Sequence, residues 1–218
     1  RHFMIHITKN TEPMTYRRYC SNHDAAFDNM DSPVKLSLKK RLLEEQGSLC
    51  AYCMSRINLS NMKVEHYVPR SEINDLVYSN LLAVCKGNEG KGPLEQTCDT
   101  QKGNQLLTLN PQNPLHMQTI KYSRNGTISS ENLAWNSEIN NILNLNFKKG
   151  HLINERRRTL DAFKEVLSKQ YKHDFKKVPL SKMLNDYINK KNTGPYPPYV
   201  GIIIWYLQDR ISRCNNQC

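Results

Sequence analysis

The chain has 218 residues, which is enough to bury the core of one large domain or of two small ones. Hydrophobic residues make up 38% and charged residues 23%, a balance typical of a globular protein. The longest apolar run, residues 200–207, is far too short for a membrane-spanning helix and argues against that class. The net charge of +11 favours an anionic partner such as nucleic acid, and fits equally well a soluble protein that is simply basic.

The start of the chain and its cysteines bear on its compartment. Residues 1–6 carry no apolar stretch of the kind found in a secretory signal peptide, so we expect a cytoplasmic protein. Thiols stay reduced in the cytoplasm. The seven cysteines are therefore expected to be free or to bind metal rather than to form disulfides.

One helix is predicted in the first fifty residues. Residues 1–30 mix polar and aromatic positions without a clear period and are expected to lie across the surface or to meet a partner. Asp31, Ser32 and Pro33 predict a helix start, with Ser32 as the cap and Pro33 at the first helical position. Gly47 is expected to end this helix.

Two short strands are predicted next. Residues 64–68 form the first candidate, which Pro69 would end. The apolar residues 81–84 form the second candidate, which leads into Cys85.

A short helix, a hairpin and a long helix are expected to follow. Asp99 or Thr100 could cap a helix that carries Lys102. Residues 122–128 predict a hairpin because an Asn-Gly pair lies at their centre. Apolar residues at helical spacing predict a helix over residues 151–171.

Two more helices are expected near the C-terminus, over residues 180–191 and 199–213, although residues 202–204 alone would also fit a buried strand. Residues 148–191 hold 13 Lys or Arg and 5 Asp or Glu. Such a surplus is typical either of a solvated helix face or of a surface that binds a nucleic-acid backbone. The elements together predict an α+β fold that is mainly helical.

Four of the cysteines suggest a metal site. Cys50 and Cys53 form a Cys-x2-Cys pair, and Cys85 and Cys98 lie 32 and 45 residues after Cys53. Four thiolates can close a tetrahedral structural zinc site. The long gap before Cys98 costs only about 1 kcal/mol more in loop closure. Alternatively, Cys85 is simply a buried apolar residue.

Glu65 and His66 lie inside this bracket of cysteines. A neutral imidazole can take a proton from water, and a carboxylate can hold a hard cation such as Mg²⁺. That combination suits hydrolysis of a phosphodiester. In a regular strand the two side chains point to opposite sides, so a distortion at the strand end would be needed to bring them to one centre. Taken alone, His66 would more often be a structural histidine, and Glu65 would more often be a surface charge.

These motifs resemble the HNH nucleases of the four-cysteine type, and more narrowly the PtuB nucleases of Septu anti-phage systems and some retrons. The resemblance implies a ββα-metal core with structural zinc over residues 50–110. An N-terminal segment and helix (1–49) would precede it, and a hairpin with a helical, basic C-terminal region (111–218) would follow. The motifs that carry the resemblance are Cys50-x2-Cys53, Val64-Glu65-His66-Tyr67-Val68-Pro69-Arg70-Ser71, Asn80-Leu81, Cys85 and Cys98-Asp99-Thr100-Gln101-Lys102-Gly103-Asn104.

The resemblance also implies roles for single residues. His66 would be the general base, and Asn80 would hold the loop so that His66 keeps its orientation. Glu65 and Asp99 would bind the catalytic ion. Asp99 stands where the family usually has His or Asn, and this anion favours Mg²⁺ or Mn²⁺ over softer ions.

Further roles concern zinc and phosphate. The resemblance assigns structural zinc to Cys50, Cys53, Cys85 and Cys98. It makes Arg70 and Lys102 candidate phosphate contacts.

The expected function is that of a metal-dependent HNH endonuclease acting on DNA or RNA, as the effector of an anti-phage defence system. The resemblance implies a complex with a PtuA-like SMC-type ATPase and, in a retron, with a reverse transcriptase and its msDNA. The alternative is a catalytically inert, zinc-stabilised subunit that binds nucleic acid or acts as a scaffold. Five aromatic residues could anchor a partner or could pack onto the chain's own helical half: Phe3, Tyr16, Tyr19, Tyr196 and Tyr199.

Overall fold

The structure is a computed structural model that describes residues 5–71, 73–172, 178–190 and 194–215. Helices and two small sheets share one hydrophobic core in the described ranges. The strands are β1 (Met62–His66), β2 (Leu81–Cys85), β3 (Ile120–Tyr122) and β4 (Ile128–Ser130). The helices are α1 (Met14–Cys20), α2 (Ser32–Glu45), α3 (Cys98–Lys102), α4 (Pro114–Met117), α5 (Leu133–Ser137), α6 (His151–Gln170), α7 (Leu180–Ile188) and α8 (Val200–Asn215).

The residue that caps helix α2 lies one position before the cap that the sequence predicts. The carboxylate of Asp31 accepts a hydrogen bond of 2.9 Å from the backbone N–H of Val34 and so caps the helix. Ser32 is already the first helical residue, so the prediction that it caps the helix was wrong. The helix buries Leu38 and Leu42 and packs against α1 and β2.

Strands β1 and β2 form an antiparallel pair in which His66 lies opposite Leu81. The second strand starts where the sequence predicts. The first ends two residues earlier than predicted, because the backbone of Val68 is bonded to the Asn80 side chain instead of to β2.

Helix α3 follows the long loop between Cys85 and Cys98. Thr97 stands at its N-terminus without a side-chain cap, so the predicted caps Asp99 and Thr100 were wrong. Both side chains have other partners. Asp99 pairs with Lys63, and the Thr100 hydroxyl donates to the carbonyl of Lys86.

The C-terminal half matches the predicted elements closely. Strands β3 and β4 form the expected hairpin, and α6 spans 151–170. Residues 202–204 lie inside helix α8, so the alternative of a buried strand was wrong. This helix packs against α6, α7 and β3. Among the described residues, no helix combines the length and the apolar character needed to cross a membrane.

The N-terminal region contains a helix, α1, that the sequence did not predict, and the described aromatic residues pack within the chain, as one of their two alternatives expected. Tyr16 is buried in α1, and its hydroxyl donates to the carbonyl of Leu76 at 2.9 Å. Tyr196 and Tyr199 are buried, and Tyr19 packs against the same core. These four side chains therefore stabilise the chain's own fold rather than stand exposed for a partner, while Phe3 lies outside the described residues.

Candidate functional site

The four cysteines meet at one point. The Sγ atoms of Cys50, Cys53, Cys85 and Cys98 all lie within 4.8 Å of one another. Cys50 and Cys98 are separated by 4.0 Å, and Cys53 and Cys85 by 3.8 Å. Zinc–sulfur bonds of about 2.3 Å in a tetrahedron give sulfur–sulfur edges of about 3.8 Å. The cluster could therefore hold a metal ion such as zinc, and the thiol of Cys85 belongs to it.

Different local structures bring the cysteines together. Cys50 and Cys53 lie in a tight turn after α2, in which the N–H of Met54 donates to the carbonyl of Cys50 at 3.1 Å. Cys85 ends β2, and Cys98 begins α3. One turn, one strand end and one helix start thus bring the four thiols together.

The loop between Cys85 and Cys98 is closed by a close approach of two backbones. The N–H of Thr97 donates to the carbonyl of Gly87 at 2.9 Å. Gly87 has a φ of +54°, and a Cβ there would lie 2.1 Å from the carbonyl oxygen of Thr97, so only glycine fits. This contact explains how a loop longer than the usual spacing still delivers Cys98 to the cluster.

The packed thiols perturb one another. Hydrogen bonds from Cys50 and the other two thiols lower the pKa of Cys85. The same neighbours, Cys50 first, raise the pKa of Cys98. A bound cation would remove this conflict, because metal coordination deprotonates a thiol.

Glu65 and Asp99 form a second charged cluster with two lysines. The Nζ of Lys102 lies 2.7 Å from Oε1 of Glu65, and the Nζ of Lys63 lies 2.8 Å from Oδ2 of Asp99. The hydroxyl of Tyr52 donates to the same Glu65 oxygen at 3.1 Å. Each carboxylate therefore has its own ammonium partner.

The electrostatics of this cluster are those of two carboxylates that share a small space. Burial, and then the neighbouring Asp99, raise the pKa of Glu65 to about 8, although Lys102 opposes the shift. Paired carboxylate oxygens are the donors that a hard cation such as Mg²⁺ prefers, so the donor set fits one. In the described ranges, the four cysteines form the only group in which three or more His, Cys, Asp or Glu side chains lie close enough to share one metal ion.

His66 lies on β1 next to Glu65 and has a separate environment. Its Nε2 is 2.9 Å from the backbone carbonyl oxygen of Asp75. Because a carbonyl oxygen can only accept, Nε2 carries the proton of this bond, and Nδ1 keeps its lone pair in the neutral ring. The ring of Phe27 packs edge-on at 4.8 Å between centroids. The imidazole is thus held in one tautomer and one orientation.

Asn80 fixes the chain immediately after His66. Its Oδ1 accepts from the N–H of Val68 at 2.8 Å, and its Nδ2 donates to the carbonyl of the same residue at 2.9 Å. The backbone carbonyl of Asn80 accepts from the N–H of Tyr67 at 2.9 Å. Asn80 therefore holds the loop by three bonds, and the importance of this for catalysis stays a prediction.

The two candidate phosphate contacts lie in different surroundings. Arg70 is 41% exposed and pairs with Asp75 and, at 2.9 Å, with Asp28. Lys102 is only 1% exposed, and its ammonium faces Glu65. The structure thus leaves Arg70 at the surface and holds Lys102 in the interior.

The predicted site residues separate into two groups on the two sides of β1. The strand pairs regularly with β2 through His66, so the distortion expected at its end is not found and Glu65 and His66 do not meet at one centre. One contains Glu65, Asp99 and Lys102, and the other contains His66 and Arg70. Sequence reasoning did not identify four residues that complete these groups: Tyr52, Lys63, Phe27 and Asp75. Strand alternation could have indicated Lys63, which lies two residues from Glu65 and so shares its side of β1.

The chain is similar to a curated protein, and no protein-family model matches it. The similar protein is named "Retron Vc95 putative HNH endonuclease" and comes from Vibrio cholerae serotype O1 biovar El Tor. The two are 26% identical over 186 residues, which span 78% of this chain and 89% of the relative. This similarity supports a relationship to the HNH nucleases, and it does so independently of the cysteine cluster.

Proposed function

We propose that the chain is a metal-dependent HNH endonuclease that hydrolyses phosphodiester bonds of nucleic acid. The observation that carries the proposal is His66, an imidazole anchored through Nε2 on β1, the strand that also carries Glu65 of the Glu65–Asp99 carboxylate pair. The two groups lie on opposite sides of β1, so bringing both to one phosphate requires a distortion at the end of the strand when substrate binds. The similarity to the Vibrio cholerae protein supports the same reading. Strands β1 and β2 with helix α3 would form the ββα-metal core.

In this proposal, the anchored imidazole acts as the general base. Nδ1 of His66 takes a proton from water while Nε2–H stays bonded to the carbonyl of Asp75. The water oxygen then bonds to phosphorus, and the bond from phosphorus to the leaving oxygen breaks. Asn80 keeps the chain after His66 in place during this step.

Glu65 and Asp99 would hold the divalent ion, Mg²⁺ or Mn²⁺. When bound, such an ion neutralises the charge that develops on the phosphate and on the leaving oxygen. The lysines that now pair with these carboxylates keep the two acids in place without the ion. Lys102 could contact a phosphate only after release from Glu65, whereas Arg70 is already at the surface.

The biological setting is proposed on the retron relative and the PtuB-like motifs. The chain would act as a defence effector, in a complex with a PtuA-like ATPase and, in a retron, with the reverse transcriptase and its msDNA. The buried aromatic residues no longer support a partner surface. Co-expression with a neighbouring ATPase, followed by size-exclusion chromatography, tests this setting, and separate elution at micromolar concentration would contradict it.

The second candidate function is an inert, zinc-stabilised subunit that binds nucleic acid or acts as a scaffold. One observation favours it: both carboxylates are already neutralised by lysines, so the charged cluster is complete without an ion. A protein of this kind would bind nucleic acid without cutting it.

Cleavage assays separate the two candidates. Duplex DNA, single-stranded DNA and tRNA are incubated with the protein and Mn²⁺, using wild type, His66→Ala and His151→Ala. We expect His66→Ala to lose a factor of about 10² to 10⁴ in rate, as is typical for a missing general base. His151, an exposed histidine on α6, is the matched control and should cut normally. Equal rates for wild type and His66→Ala would refute the proposed centre.

A further inference from the structure

A short segment before α2 covers the side of His66 that faces away from the Glu65 cluster. Residues 25–28 are held at their centre by two hydrogen bonds. The hydroxyl of Tyr19 donates to the carbonyl of Ala26 at 2.7 Å, and the N–H of Phe27 donates to Oδ2 of Asp75 at 2.7 Å. The segment is therefore bonded to the same aspartate that orients His66.

The side chains of this segment close over the imidazole and over Arg70. The Phe27 ring packs edge-on against His66, and the guanidinium carbon of Arg70 lies 5.7 Å from the centroid of that ring. With Phe27 and Asp75 around it, the His66 side chain is only 10% exposed. A general base must come within hydrogen-bonding distance of the water that attacks the phosphate. With this little exposure, the imidazole cannot do so beside a nucleic-acid substrate unless the covering residues move.

Arg70 has two carboxylate partners that differ in burial. Asp75 is 14% exposed and is tied to the segment and to His66 as well. Asp28 is 72% exposed, and its carboxylate forms an ion pair with Arg70, at 2.9 Å from Nη1. The guanidinium holds the pKa of Asp28 below its ordinary value. Asp28 is therefore the partner of Arg70 that can be exchanged at small cost.

A cleft adjoins this arrangement. Its volume is about 910 Å³, and it is bounded on one side by the covering segment and on the other by the loop after β1. The polar groups of its wall suit a phosphate backbone, because they include a guanidinium, a hydroxyl and an amide. These are the side chains of Arg70, Ser71 and Asn104.

We propose that residues 25–28 form a cap over His66, and that Asp28 occupies the place on Arg70 that a nucleic-acid phosphate takes when substrate enters the cleft. A carboxylate and a phosphate both offer paired oxygens to the planar guanidinium fork, so one can replace the other. Loss of Asp28 from Arg70 removes one contact that holds the cap; the hydrogen bonds of Ala26 and Phe27 must open as well before Phe27 leaves the imidazole. The proposal names a regulation of the proposed nuclease centre and rests on that function.

Asp28→Asn tests the cap, with Asp24→Asn as the matched control. Asp24 lies in the same stretch of chain, is 98% exposed and pairs only weakly with an exposed histidine. Because both substitutions replace Asp with Asn, the two variants change the net charge equally. Binding is measured by fluorescence anisotropy with a labelled DNA duplex and a labelled single-stranded RNA, without added divalent metal. Cleavage is measured separately with Mn²⁺.

We expect Asp28→Asn to bind about twofold to fivefold more tightly than Asp24→Asn, and to cut faster by a similar factor, as fits an exposed ion pair. The gain should vanish in the Asp28→Asn, Arg70→Ala double variant. Arg70→Ala alone should reduce the slope of log affinity against log salt by about 0.9. Hydrogen exchange of residues 25–29 should become faster when nucleic acid is added.

The binding assay and the cleavage assay together distinguish this inference from the proposed function. If wild type cuts in a His66-dependent manner while Asp28→Asn matches Asp24→Asn in binding and rate, the cap is overturned and the nuclease stands. If the binding gain appears but no variant cuts any nucleic acid, the exchange at Arg70 stands and the nuclease proposal fails. If no variant binds or cuts, both fall.

Discussion

The cysteine cluster and the charged groups around β1 are built in opposite ways. The four thiols already lie at the separations that zinc requires. Around β1, every candidate catalytic group has an internal partner: Glu65 has Lys102, Asp99 has Lys63, and Arg70 has Asp28. The first region is ready for a permanent ion, whereas the second must exchange internal contacts for ligands.

The difference follows from the chemistry of the side chains. Thiols have weak alternative partners, so a cysteine cluster gains most from metal. Carboxylates and guanidinium groups form strong pairs with each other, and these pairs maintain the site when no ligand is present. A structural site and an exchangeable site can therefore be told apart by whether the protein itself satisfies the ligands.

The largest expected effect is the loss of the cysteine site. Cys98→Ser should remove zinc and unfold much of the protein, since structural zinc contributes on the order of 10 kcal/mol in small modules. Cys214→Ser, an exposed cysteine outside the cluster, is the control and should keep both zinc and stability. Metal analysis, with about one zinc per chain in wild type, and thermal unfolding give the answer. A Cys98→Ser protein that retains zinc and the wild-type melting temperature would disprove the site.

A smaller loss of stability is expected at the buried lysine. Lys102→Ala leaves Glu65 without its ammonium partner and should lower the free energy of unfolding by about 3 kcal/mol. The value is at the low end for a broken buried pair because the pKa of Glu65 is already raised to about 8, so the carboxyl group is easily protonated. Lys164→Ala, on an exposed pair of α6, should change stability little. Urea unfolding measures the stability of both variants. If Lys102→Ala were as stable as wild type, the interior pair would not be formed in solution.

The next effect concerns activity rather than stability. Asp99→Asn and Glu65→Gln should each reduce the cleavage rate at low metal concentration by about 10- to 100-fold. This is the loss typically seen when a residue that supports a metal site is replaced. Because the expected defect is metal affinity, raised Mn²⁺ should restore part of the rate. Glu44→Gln, on an exposed pair of α2, is the control. Full activity of both variants at low Mn²⁺ would remove these carboxylates from the metal site.

Local patterns predicted much of this molecule. The cysteine spacing predicted the cluster, and apolar runs and an Asn-Gly turn predicted β2, the β3–β4 hairpin, α6 and α8. These features depend on neighbours in sequence or on one kind of side chain. The sequence was a poorer guide to Tyr16, whose burial depends on a contact with Leu76 far along the chain.

The surroundings of His66 could not be predicted for a related reason. Its partner is the backbone carbonyl of Asp75, a group that every residue carries, so no side-chain pattern marks it. Phe27 reaches the imidazole from a segment that shows no period. Lys102 illustrates the converse case: a basic residue in a nuclease-like motif suggests phosphate, and only the fold shows that its ammonium faces Glu65.

Removal of exchangeable metal tests the central contrast most directly. Wild-type protein is passed through a gel-filtration column in EDTA and then assayed for zinc and for cleavage. We predict that about one zinc per chain remains while cleavage is lost, and that Mg²⁺ or Mn²⁺ restores cleavage. Cleavage that persists after EDTA with zinc still bound, or that only added zinc restores, would contradict the division between a permanent cysteine site and an exchangeable carboxylate site.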